Sequence, residues 1–187
     1  MLAGGRSRRF GGVDKTRLPI GGRTLLHRAV DTLAAVTDDV LVVGGTPRPG
    51  IRTVPDRYPD EGPLGGVLTA LAAIDSSHAL ILAADLLVIP GSLLRDVLRA
   101  GADAAAAVVQ YADGRLAPCL SVRRDSADAL RAMWIDGDRR LRAVENLVPC
   151  VKVVAEAATA RGALWNVNDP LTYARALELT LHDCPAC

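Results

Sequence analysis

The chain is short of several things, and each shortage excludes something. It lacks excess charge: 22 Lys and Arg stand against 21 Asp and Glu, a net charge of +1. A basic surface for nucleic acid is therefore not expected, and any concentration of positive charge must be local. It has four cysteines, at 119, 150, 184 and 187, with no disulfide-framework spacing and no secretory signal legible ahead of them. Cys184-Pro-Ala-Cys187 has C-x-x-C spacing, but without a second pair it reads as a tail with free thiols, and Cys119 and Cys150 read as small buried hydrophobes. No apolar run reaches membrane-spanning length, since Ala79–Ile89 is broken by Asp85 and stopped by Pro90. The expected location is the cytoplasm. Its three histidines fall in no motif, and no nucleophile–base pair is recognisable. Aromatics are 3% of the chain, so its core must come from Ala, Val and Leu. That composition suits helices packed on a sheet and argues against disorder.

What is present is a loop. Leu2-Ala3-Gly4-Gly5-Arg6-Ser7-Arg8-Arg9-Phe10-Gly11-Gly12-Val13-Asp14-Lys15 runs from an apolar strand end through paired glycines and three arginines to a lysine. Glycines let backbone N–H groups come close to an anion, and Arg and Lys neutralise a polyphosphate, Arg as a planar fork and Lys as a point charge. Two familiar phosphate loops do not fit. Asp14 stands before Lys15-Thr16 where a G-x-x-x-x-G-K-[ST] loop needs Gly, and the G-x-G-x-x-G spacing is absent.

Met1-Leu2-Ala3 is too short for a strand of its own, so its neighbours are expected to lack ladder partners, and either the native start lies upstream or the product is weakened. Leu25, Leu26, Ala29, Val30 and Leu33 recur at helical spacing. Val40–Val43, Ile51–Val54, His78–Ala84, Ala104–Gln110, Cys119–Val122 and Val151–Val154 read as strands. Helices are predicted over Val67–Ile74, Ser92–Arg99, Ser126–Met133 and Arg139–Asn146, and Leu164–Val167 leads through Asp169-Pro170 into a last helix to about Leu181. Alternation of this kind predicts an α/β fold: a three-layer, doubly wound and mostly parallel sheet, in one domain over residues 1–183 with a short tail at 184–187. Ligands of such sheets bind beyond the carboxyl ends of the strands. Asp56, Asp85, Asn166, Asn168 and Asp169 fall there in sequence terms.

The segment L-A-G-G-x-x-x-R-x-G-G-x-D-K resembles the signature of the molybdenum cofactor guanylyltransferases (MobA type), with Phe10 where that family usually has Met. The resemblance implies a Rossmann-like nucleotidyltransferase that uses Mg²⁺ to move GMP from GTP onto the terminal phosphate of molybdopterin, releasing pyrophosphate. It implies that Leu2, Ala3, Gly4 and Gly5 line the nucleotide, and that Arg9 and Lys15 hold its triphosphate. Asp85 matches the family's metal-binding Asp, although the usual C-D-x-P context is here Ala84-Asp85-Leu86-Leu87-Val88-Ile89-Pro90. Asp56 matches a nucleotide contact. Gly62-Pro63-Leu64-Gly65-Gly66 is similar to G-P-L-A-G, whose glycines would let a helix N-terminus approach the ligand. Gly44 stands where the family often has Asn. Asn166-Val167-Asn168-Asp169-Pro170 is similar to N-x-N-T-P, with the two Asn as ligand contacts and Asp169 as a helix cap. Asp136-Gly137-Asp138-Arg139-Arg140 resembles G-E-R-R, whose arginines help bind the acceptor. The implied partners are GTP and a molybdopterin-type substrate, with cofactor-delivering proteins as further candidates. Transfer of CMP from CTP, transfer to another small phosphate, and a nucleotide-binding module without turnover remain open alternatives. An acceptor phosphate is already anionic at neutral pH, so positioning and charge neutralisation matter more than a general base.

Overall fold

A computed structural model describes residues 1–4, 10–11, 13–87, 89–155 and 166–182, with side chains to residue 178. Gly5, Arg6, Arg8, Arg9, Gly12 and the cysteines at 184 and 187 lie outside the described residues.

The chain opens in the middle of a sheet. Leu2 bridges in parallel to both Val43 and Ala83. The Leu2 amide donates to the Leu82 carbonyl at 2.8 Å and the Ala84 amide to the Leu2 carbonyl at 3.0 Å. On the other side the Val43 amide donates to Met1 at 2.9 Å and the Ala3 amide to Val43 at 3.0 Å. Three residues thus supply ladder bonds on both flanks, contrary to the expectation that the neighbours would go without.

A short antiparallel hairpin, β1 (Pro19–Ile20) and β2 (Arg23–Thr24), leads into α1 (Leu25–Ala34). The remaining elements are β3 (Val42–Val43), β4 (Thr53–Val54), α2 (Pro63–Ala72), β5 (His78–Leu82), α3 (Gly91–Gly101), β6 (Ala106–Gln110), β7 (Leu116–Arg123), α4 (Ala127–Ile135), β8 (Cys150–Val154) and α5 (Pro170–His182). Across the sheet the order is β4, β3, Met1–Ala3, β5, β7, β6, β8. β7 alone in this series is antiparallel, to both β5 and β6. The remaining pairings are parallel, so the sheet is mixed but mostly parallel, as expected.

The apolar runs of the strands serve two cores, because successive side chains point to opposite faces. Val42, Leu82, Ala107, Val109 and Cys119 pack with α1 and α3, through Leu26, Ala29, Leu33, Leu93, Leu94 and Val97. Val43, Ile81, Ala106, Val108 and Leu120 pack with α2 and α4, through Leu64, Val67, Leu71 and Leu130. This is the three-layer arrangement. Burial pushes the Cys119 thiol up to about 12, so it acts as a small hydrophobe.

Two helices differ from expectation. α2 starts at Pro63, four residues before the predicted Val67, because Gly62 takes φ +89° and Pro63 follows at the first turn. The helix predicted over Arg139–Asn146 is a 3₁₀ stretch, Leu141–Asn146, that buries Ala143 and Val144.

Candidate functional site

The carboxyl ends of β3, β4, β5 and the Met1–Ala3 segment open onto one cleft of about 1460 Å³. Pockets for one small ligand usually measure about 300–1,000 Å³, so this cleft is roomier than one small ligand needs. Leu2, Ala3, Gly4, Lys15, Asp56, Asp85, Asn166 and Asn168, picked from the sequence, all line it. Among the ten residues so picked, Gly5 and Arg9 lie outside the described residues.

Lys15 and Asp85 meet. The Lys15 ammonium donates to Asp85 Oδ2 at 2.6 Å, with 22% and 15% of the two side chains exposed. Lys15 is therefore not the solvated loop lysine that its sequence suggests. It opens a one-turn 3₁₀ helix, Lys15–Arg17, whose cap is Asp14: the carboxylate accepts from the Thr16 amide at 2.9 Å and its hydroxyl at 2.6 Å. Arg48, 15% exposed, stands 3.9 Å from the other Asp14 oxygen. Asp14, a motif residue that was given no role of its own, is thus a supporting residue, and so are Thr16 and Arg48, which motif reading passed over. An Asp two residues before a Thr was the available signal.

Asp85 reaches the site because β5 ends just before it, at Leu82, and Ala83 and Ala84 are held by Pro118 and Leu2. Its second oxygen, Oδ1, is buried with no hydrogen-bond partner among the described residues. Asn166 Oδ1 is in the same condition. The two residues are neighbours through the backbone, since Leu86 and Asn166 form an antiparallel bridge and the Val167 amide donates to the Asp85 carbonyl at 2.8 Å, and both line the cleft. A buried acceptor without a donor is costly, so two of them on adjacent cleft-lining residues mark a place for a cation or a donor. Hard oxygen donors, one of them a carboxylate, fit Mg²⁺ or a similar ion that keeps water and phosphate ligands. Among the described residues no cluster of three or more His, Cys, Asp or Glu could hold a metal alone.

Asp56 forms another wall. Its Oδ1 accepts from the Tyr58 amide and the Thr69 hydroxyl, each at 3.0 Å, which fixes the carboxylate. Thr69 is buried in the otherwise apolar α2, and its oxygen also lies 3.0 Å from the Gly65 carbonyl, so its single proton is placed between the two acceptors. A lone buried Thr on an apolar helix was a legible hint. A Cβ on Gly4 would lie 3.7 Å from Asp56 Oδ2, so Gly4 and Asp56 share one corner.

Gly44 belongs to that corner too. It has φ +74°, and a Cβ there would come within 3.4 Å of the Gly4 Cα and N. The glycine is used for close approach of two backbones, and the side-chain contact of an Asn is absent. The glycines of Gly62–Gly66 also serve packing before any ligand. A Cβ on Gly62 would meet the Arg139 carbonyl at 2.6 Å, on Gly65 the Tyr58 Cβ at 2.7 Å, and on Gly66 the Leu2 Cδ2 at 3.1 Å.

The arginines expected to hold the acceptor are occupied. Arg139 lies 3.8 Å over the Trp134 ring and 3.1 Å from Glu61, and Arg140 pairs with Asp138 at 2.9 Å. That pairing and the Arg140 amide draw the Asp138 carboxyl down to about 2. Arg142 lines the cleft instead. Asp169 caps α5 as expected, accepting from the Thr172 amide at 2.8 Å.

A model of the MobA-like NTP transferase domain matches residues 1–153. A protein of Chloroflexus aggregans named "Probable molybdenum cofactor guanylyltransferase" is 41% identical over 152 residues, covering 76% of this chain and 73% of that protein. The crystal structure of molybdopterin-guanine dinucleotide biosynthesis protein A from Archaeoglobus fulgidus superposes with a TM-score of 0.79 at 20% identity, covering 97% of each chain. A Mycobacterium tuberculosis protein in complex with manganese superposes with a TM-score of 0.69 at 20% identity, covering 95% of each.

Proposed function

The chain belongs to the MobA-like NTP transferase family, and from that premise we propose that it transfers GMP from GTP to the terminal phosphate of molybdopterin, releasing pyrophosphate. The observation that carries the reading is the Lys15–Asp85 ion pair at a cleft that Asn166 also lines, with one buried oxygen of Asp85 and one of Asn166 left unsatisfied. Asp85 and Asn166 would hold Mg²⁺, whose charge there would offset that of the nucleotide phosphates. Lys15, with Arg9 and the backbone of Gly4 and Gly5, would hold the triphosphate. Asp56, fixed by Thr69 and Tyr58, would orient the nucleoside. Asn168 lines the same cleft as a contact for the acceptor or its water.

The acceptor phosphate oxygen forms a bond to the α-phosphorus as the bond from that phosphorus to the bridging β-oxygen breaks. The electron pair leaves with pyrophosphate. No proton has to be removed first, so the reaction calls for positioning and charge neutralisation rather than a general base. The reaction would take place in the cytoplasm; among the described residues no helix is long and apolar enough to cross a membrane.

Guanine rather than cytosine fits a site offering acceptors, because its Watson–Crick edge carries N1–H and N2–H₂ donors. The Leu2 carbonyl already accepts from Ala84, so the carbonyls of Ala3 and Gly4 are the first candidates to receive the guanine donors. Side-by-side kcat/KM values for GTP and CTP test the choice. GTP should win by several orders of magnitude, since a mismatched base leaves buried polar groups unpaired. Equal or better use of CTP would move the chain to cytidylyl transfer.

A further inference from the structure

We infer that Lys15 serves as the counter-ion of Asp85 when no nucleotide is bound, and exchanges that place with the divalent cation as nucleotide arrives. The inference rests on the functional reading above and adds an order and a coupling to it. The ammonium sits 2.6 Å from one Asp85 oxygen in a largely buried pair. The other oxygen, and that of Asn166, remain buried and unsatisfied. A carboxylate this sheltered is costly without a cation, and a lysine on a flexible stem is a cation that can leave. The same lysine ends the glycine- and arginine-rich stretch of the sequence that runs from Gly4.

A phosphate that attracts the Lys15 ammonium weakens its hold on Asp85, and the carboxylate so released calls for the divalent cation in its place. Metal without nucleotide has to compete with Lys15, and nucleotide without metal has to take Lys15 from Asp85. Each ligand removes the obstacle to the other, so their affinities are linked reciprocally.

The test is binding of Mn²⁺ alone, followed by the paramagnetic signal of the free ion, in the wild-type chain and in variants. Lys15→Met keeps the stem and removes the charge, so Mn²⁺ alone should bind about tenfold tighter, within the usual range of such couplings. GTP in the presence of Mn²⁺ should bind more weakly to the same variant. Lys15→Arg keeps a cation and should stay near wild type for Mn²⁺ alone. Arg142→Met removes a cleft cation elsewhere and should leave Mn²⁺ affinity unchanged; adding Asp85→Asn to Lys15→Met should abolish the gain. Unchanged or weaker Mn²⁺ binding by Lys15→Met overturns the exchange, and so does an equal gain in Arg142→Met, which would reveal only a general field. If GTP still binds the wild-type chain with Mn²⁺ in those cases, the functional reading stands without the exchange. Loss of both Mn²⁺ and GTP binding in wild type would overturn both.

Discussion

Lys15 shows how far one residue's role depends on its partner. A solvated lysine could be removed at little cost, but this one neutralises a mostly buried Asp85. Lys15→Ala should lower turnover by roughly 10²-fold, as removal of other charge-stabilising groups does. It should also cost about 1–3 kcal/mol of stability, because both Asp85 oxygens are then left without a donor. Steady-state kinetics and urea denaturation read the two effects, and wild-type turnover would sink the role. Gly44 is a second case. At φ +74° with the Gly4 backbone 3.4 Å away, a β-branched side chain is both strained and crowding. Gly44→Val should destabilise by about 1–2 kcal/mol and raise the KM for nucleotide by moving Gly4. Gly44→Asn should be milder, since Asn tolerates that region of backbone space. Equal effects of the two substitutions would remove the backbone argument.

At the scale of elements, the start of α2 ties two loops together. The Leu64 amide donates to the Arg139 carbonyl at 3.3 Å, and Arg139 in turn stacks on Trp134 and pairs with Glu61. Gly62→Ala would push a methyl group to 2.6 Å from that carbonyl at a backbone angle that disfavours Ala. A loss of about 1–3 kcal/mol is expected, with a change in Trp134 fluorescence as the stack shifts. Unaltered stability and emission would show that the two loops are independent. The amphipathic helices α1 and α3 were legible from apolar spacing, and α5 from its Asp169-Pro170 cap. The start of α2 was not, because its glycines read as a loop until the contacts with Tyr58, Leu2 and Arg139 are known. The 3₁₀ stretch Leu141–Asn146 has helical composition, and its sequence does not separate that pitch from an α-helix.

For the molecule as a whole, the parallel strands were legible as apolar runs, and so was the end of the sheet where ligands bind. The direction of β7 was not, since a strand buried on both faces carries no polarity in its sequence. The cleft residues Asp56, Asp85 and Asn166 were legible through family motifs, whereas the ion pair of Lys15 and Asp85 spans 70 residues and required the fold. A ligand that binds only the folded chain raises its stability by mass action. GTP with Mg²⁺ at a hundred times its Kd should add about 2.7 kcal/mol, or about 5–10 °C in Tm for a chain of this size. Asp85→Asn should lose most of that shift. A shift of the same size in the variant would place metal-dependent binding elsewhere.

The most direct measurement is pyrophosphate release with each of the four nucleoside triphosphates, with and without molybdopterin, in the presence of Mg²⁺. Release that requires both GTP and molybdopterin is the predicted result. Absence of release with every nucleotide, in a chain that still gains stability from GTP, would contradict the account and leave a nucleotide-binding protein without transfer activity.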